Sequence, residues 1–159
     1  MRSTFAKALS QNTYTDTGLL VIRVGIGLSM MLLHGYGKLT AGPDMWERLG
    51  GQMARFGLDF FPVFWGFMAM FAEFFCAAAI VLGVAFRPAA TLLIITMGVA
   101  AIRHLTLPPE ADNAGISGAS HALEFMFVFI GLFLTGPGRF RLASLWRRPA
   151  PEGMRSESI

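Results

Sequence analysis

Charge and cysteine are what this sequence has least of. Charged residues fill 14% of its 159 positions, where soluble domains carry about a quarter. Hydrophobic residues fill 54%, gathered into long runs, and this combination places the chain in the membrane class. One cysteine, Cys76, excludes an internal disulfide and dithiol exchange within the chain, and it cannot be half of a CxxC pair. Any redox role must then use another protein, a bound cofactor or a quinone. Cys76 itself reads as a small packing residue. No A-x-A site follows a short apolar core, so no cleavable signal peptide is expected, and "MRSTFAKALSQNTYTDT" (1–17) reads as a polar N-terminal segment. The net charge of +3 is small and lies mostly toward the C-terminal end. It lacks the aromatic-interleaved basic stripe of a nucleic-acid binder, so the partner expected for it is anionic lipid.

What is present is four apolar runs: 18–39, 62–85, 88–107 and 119–136. Each approaches the roughly 20 residues that a bilayer-crossing helix needs. Backbone groups in hydrocarbon must be satisfied within the segment, so these runs are read as helices. With short connections they make an all-α, integral membrane four-helix up-down bundle. Gly83 and Pro88 mark a stop and a start, "TLPPEADNAGISGAS" (106–120) reads as a polar loop, and "GPGR" (136–139) ends the fourth run. In 44–57, Met45, Trp46, Leu49, Met53 and Phe56 recur near helical spacing between polar residues. That pattern predicts a short interfacial helix in the first loop, weakened by Gly50 and Gly51. The domain reading is thus 1–17 as an N-terminal segment, 18–142 as the membrane domain and 143–159 as a basic tail. Within the tail, "RFRLASLWRR" suits an interfacial anchor or a solvated basic segment.

Lysine and arginine set the orientation. The termini and the 86–88 turn share one side, with Arg2, Lys7, Arg87, Arg139, Arg141, Arg147, Arg148 and Arg155. The other side carries Lys38, Arg48, Arg55 and Arg103. The positive-inside rule then predicts both termini in the cytoplasm. Small residues in the first three runs, among them Gly25, Gly27, Gly35, Gly37, Ala77 and Gly98, are assigned to close helix packing. Phe67, Phe71, Phe125, Phe127 and Phe129 are read as exposed faces meeting lipid or a second copy, so a homo-oligomer is compatible with the sequence.

The candidate site comes from ionisable residues within the runs. Each costs about 2.5–3.5 kcal/mol at mid-membrane on insertion scales, so it is expected to face the bundle interior. Arg23, His34 and Lys38 are 11 and 4 residues apart, which places them on one stripe of a regular α-helix. His121 and Glu124 share a face on the fourth helix. Because the helices alternate in direction, His34, Lys38, His104, His121 and Glu124 gather at one end. Glu73 lies about 16 Å in from that end. A polar pocket opening to the outer face is expected, formed from Arg23, His34, Lys38, Glu73, His104, His121 and Glu124. Simpler readings are a structural Arg23–Glu73 pair, a His34–Glu124 hydrogen bond, and His104, Arg103 and Lys38 snorkelling to the headgroups. A zinc or iron site from His34, His104, His121 and Glu124 is disfavoured by Lys38 beside His34, and no metal is assigned. No catalytic residue is assignable.

These residues carry a family likeness. "RVGIGLSMMLLHGYGKL" (23–39), "EFFCAAAIVLGVAFRPAA" (73–90), "MGVAAIRH" (97–104) and "ALEFMFVFIGLFLTGPGRFRL" (122–142) together resemble the DoxX family of small four-helix membrane proteins. The resemblance implies a multi-pass protein of the cell (cytoplasmic) membrane associated with redox processes: quinone-linked oxidation of sulfur compounds, or complexes with soluble thiol- or superoxide-handling enzymes. It therefore implies a membrane subunit or accessory factor of a redox system, with quinone as the cofactor class and a soluble redox enzyme as partner. The alternative is a non-enzymatic membrane binding, small-solute or assembly factor. No flavin motif, haem signature or cysteine pair accompanies either reading.

Overall fold

The computed structural model of the chain describes residues 2–142, with side chains from residue 13 onward. The basic 143–159 segment lies outside the described residues. Among these residues every regular element is helical. Four helices are long and apolar enough to cross a membrane: α1 (Thr13–Ala41), α3 (Pro62–Leu82), α4 (Phe86–Leu105) and α5 (Gly115–Thr135). The short α2 (Pro43–Gly50) fills the first loop, with a 3₁₀ turn, Gly51–Phe56, after it. The chain is a multi-pass membrane protein. Its distal end carries α2 and the 106–114 loop, and its proximal end carries the turn between α3 and α4 and the 136–142 segment.

Proline opens α2 and α3 at the first helical turn, where its missing N–H costs nothing. Gly83 closes α3 in the left-handed conformation, φ 69°. The fourth helix begins at Gly115, four residues before the apolar run does. Asn113 and Gly115, both at positive φ, make the turn, so "GISG" belongs to the helix and not to the loop.

The core holds Met30, Met70, Ile80, Leu93 and Phe129 fully buried, with Ala77, Ala90 and Phe125 beside them. Phe125 and Phe129 therefore face inward, and of the fourth helix's aromatic residues Phe127 faces outward, 63% exposed. Their spacing of four places Phe125 and Phe129 on the buried stripe, and Phe127 falls opposite.

Two glycine contacts organise the packing. Gly27 lies over Ala77 and Val81, and a methyl at Gly35 would sit 2.6 Å from the Glu73 carbonyl oxygen. Close backbone approach of this kind holds helices together where hydrophobicity gives no drive. By contrast Gly25 and Gly37 have open space around them. The second contact seats α2 on α3: Gly50 lies against the Pro62 backbone and Gly66 against that of Trp46. Gly50 thus weakens α2 as a helix while letting it approach α3.

Both α1 and α3 contain a turn of π-helix, at Met30–Gly35 and Ala72–Cys76. These turns pack against each other. Such turns recur at functional sites because the extra residue re-aims side chains. Here they carry His34 and Glu73, with Lys38 one turn beyond.

Candidate functional site

Lys38 and Glu73 form an ion pair between α1 and α3, Nζ donating to Oε2. The Glu73 side chain is 5% exposed and that of Lys38 22%. Glu73 sits in its π turn about 16 Å from the distal end of α3. The Trp46 indole N–H donates to the Lys38 carbonyl at 2.8 Å, and its ring meets Phe67 edge-on at 5.4 Å. Trp46 therefore couples the surface helix to the backbone that carries Lys38. Replacing it by phenylalanine keeps the ring but strands that carbonyl. Trp46→Phe is expected to lower stability by about 1 kcal/mol, read as a shift in thermal unfolding of the detergent-solubilised protein.

A second pair adjoins the first. His34 and His121 face each other with Nε2 atoms 3.1 Å apart. One nitrogen must donate and the other accept, so the pair shares a single Nε2 proton. The Phe125 ring edges both imidazoles, at 5.5 Å from His34 and 4.8 Å from His121. His34 also lies within electrostatic reach of Glu73 and Lys38. Four of the seven expected pocket residues thus form one cluster: His34, Lys38, Glu73 and His121.

The other three stand apart. Arg23 is buried at the proximal end, where its Nη1 donates to the Pro137 carbonyl at 2.8 Å and its Nε has no partner. Eleven residues separate it from His34, a rise of about 16 Å. The intervening π turn also spoils the angular count that put the two on one stripe. His104 donates from Nδ1 to the Asn113 carbonyl at 2.8 Å and so fastens the 106–114 loop. Glu124 is exposed and has no partner among the described residues. Glu73 pairs with Lys38, not Arg23, and His34 with His121, not Glu124. Arg103 has a buried, unpartnered Nε.

The two parts of α3 have different neighbours. The 72–82 part of α3 meets α4, whereas the 62–71 part packs chiefly on α2. A groove of about 630 Å³ lies between α2 and the start of α3, lined by Trp46, Glu47, Phe61, Phe64 and Phe67 among others. It is nearly all apolar and stands on the Trp46 side, apart from the histidines. Among the described residues no three His, Cys, Asp or Glu side chains converge as metal ligands.

The family model that matches the chain, over residues 18–106, is DoxX. The chain belongs to the DoxX family. The matched stretch holds His34, Lys38, Glu73 and His104; it ends before α5, so His121 and Glu124 lie beyond it. No curated protein and no solved structure matches the chain.

Sequence reasoning missed three parts of this DoxX protein's site. Trp46 was legible only as an apolar member of an amphipathic helix, since nothing in its spacing announces a hydrogen bond to Lys38. The π turns leave no compositional mark. Gly35 was visible as a packing glycine, but not as the residue that sets α1 against the Glu73 backbone.

Proposed function

We propose that this DoxX protein is a membrane subunit or accessory factor of a quinone- or sulfur-linked redox system in the cytoplasmic membrane. The Lys38–Glu73 and His34–His121 cluster is its binding and proton-handling site. One observation carries the reading: a charged pair sits at mid-depth where two π turns meet, beside an imidazole pair leading to the distal end. Ionisable groups at that depth are costly and mark ligand or proton pathways by default. Lysine and arginine bias puts both termini in the cytoplasm and opens the site outward.

The donor chemistry fits a quinone headgroup. Its two carbonyl oxygens need hydrogen-bond donors, and Lys38 and an imidazole N–H supply them. A bound quinone would accept two electrons and two protons. The chain carries no flavin motif or cysteine pair, so the electrons come from a soluble redox partner or a reduced sulfur substrate. The His34–His121 hydrogen bond gives a proton a path between the two Nε2 atoms, and Glu73 holds the Lys38 ammonium in place beside it.

The test is binding of a short-chain ubiquinone analogue to the purified protein, read by extraction and quantitation. Near-stoichiometric binding is expected. Glu73→Gln, which releases Lys38, is expected to weaken it by at least about tenfold, the worth of one charge-assisted hydrogen bond. Extracts free of quinone at saturating analogue would refute the quinone-linked reading. The mutual neutralisation of Lys38 and Glu73 favours a second reading, a non-enzymatic binding, small-solute or assembly factor. A stoichiometric soluble enzyme in pull-downs, together with absent quinone binding, would select it.

A further inference from the structure

Each imidazole of the His34–His121 pair stands on a helix that is anchored elsewhere. His34 adjoins Gly35, which lies against the Glu73 backbone, so this part of α1 is fixed to α3. His121 belongs to the stretch of α5 where Ala119 and Ala122 pack with Ala101 of α4 into a small core of their own. Distal to Ser29, the backbones of α1 and α5 approach each other at few points. Between them run the histidine bond, at 3.1 Å, and the buried Phe125 ring set edge-on to both imidazoles.

Protons decide whether that bond exists. A neutral pair holds one proton between its Nε2 atoms. A pair with one positive charge does the same, because the added proton goes to Nδ1. A second charge puts an N–H on both Nε2 atoms. Two donors then face each other with no acceptor, and two like charges stand at hydrogen-bond distance.

The charges nearby do not offset this. Glu73 of α3 attracts a charge on His34 and Lys38 of α1 repels it, and those two are bound to each other. Glu124 lies one turn from His121 on α5 and is exposed. Arg103 and His104 end α4, where His104 is turned to the Asn113 carbonyl. Arg55 of the first loop is bonded to Thr106, and Glu110 and Asp112 of the 106–114 loop are exposed.

We propose that His34 and His121 form a clasp set by protonation, closed while the pair carries at most one positive charge and open when it carries two. Opening parts α1 from α5 beside the Lys38–Glu73 pair, so acid at the distal face regulates access to it. The clasp follows from the geometry of the two helices and works whatever ligand the site takes, so it stands or falls apart from the redox reading.

The experiment is a spin-label distance measurement on the purified chain in lipid nanodiscs. Labels go on Tyr36→Cys of α1 and Ile116→Cys of α5, both exposed positions, on a Cys76→Ala background. Lowering the pH from about 8 to about 4.5, through the range in which imidazoles charge, is expected to shift the distribution reversibly to a longer distance. His121→Asn, which keeps a hydrogen-bonding side chain but takes no charge, is expected to lose the shift, and His34→Gln likewise. A native distribution that ignores pH, or a shift that does not reverse, overturns the clasp. So does the same acid shift in the His121→Asn chain, which would trace it to Glu73 or Glu124. A shift on adding a chelator at pH 8 overturns it too, since a bound metal ion and not a proton would then hold the pair.

Discussion

Glu73→Ala is expected to unfold well below the native protein, and adding Lys38→Met is expected to recover most of the loss. The alanine removes the partner of an ammonium held between α1 and α3, yet the Lys38 stem stays where it is. An uncompensated charge in such a place costs about 3–5 kcal/mol. For a chain of this size that corresponds to roughly 6–20 °C in Tm. Replacing both members by apolar groups removes the stranded charge together with the pair, and such double replacements are often close to neutral. The measurement is a double-mutant cycle by thermal unfolding in one detergent, with single and double variants side by side. A Glu73→Ala variant within a degree of native would mean that Lys38 swings freely to the headgroups and the pair carries little. The double variant also separates stability from function: a stable Lys38→Met/Glu73→Leu protein without quinone binding would assign the charges to ligand chemistry rather than to folding.

How much of this was legible beforehand depends on which physical signal each feature leaves. The four spans announce themselves, because hydrocarbon demands long uninterrupted apolar helices and little else produces them. Glu73 and Arg23 are buried, as expected of charged residues that cannot be placed elsewhere in a span at small cost, but the same reasoning put Glu124 inward and it is exposed. Pairing was not legible. The sequence pairs Glu73 with Arg23 and leaves Lys38 to the headgroups; the partner found, Lys38, turns on axial register between α1 and α3, which Gly27 and Gly35 set by contact. The stripe through Arg23, His34 and Lys38 assumed an unbroken 3.6-residue period, and the π turn at Met30–Gly35 breaks it. Arg23 consequently serves the proximal end by holding Pro137, beside Asp16 and its bond to the Arg139 backbone. The start of α5 was misplaced for a different reason: "GISG" reads as loop by composition, but Asn113 takes the positive φ and completes the turn earlier.

Gly35→Ala is expected to damage both the fold and the site, and Gly37→Ala neither. The two positions are two residues apart on one helix and carry the same substitution, so intrinsic propensity favours alanine equally at both, by about 1 kcal/mol. Their surroundings differ. A methyl at Gly35 would meet the Glu73 carbonyl oxygen at 2.6 Å and the Phe74 amide nitrogen at 2.7 Å, whereas Gly37 has nothing within 4 Å. The obstacles at Gly35 are backbone atoms inside a helix, which cannot rotate away as the end of a side chain can. The helices must separate there, at an overpacking cost of about 1–3 kcal/mol, partly offset by propensity. That separation falls on the residue holding Lys38, so quinone binding is expected to fall along with Tm. Gly27→Ala belongs between the two, because its nearest obstacle is the Val81 side chain, which has some freedom to move. The order of thermal stability expected is thus Gly37→Ala at or above native, Gly27→Ala below it and Gly35→Ala lowest. Equal stability at positions 35 and 37 would show that α1 and α3 do not touch where the π turns meet, and the Lys38–Glu73 pair would lose the scaffold that aligns it.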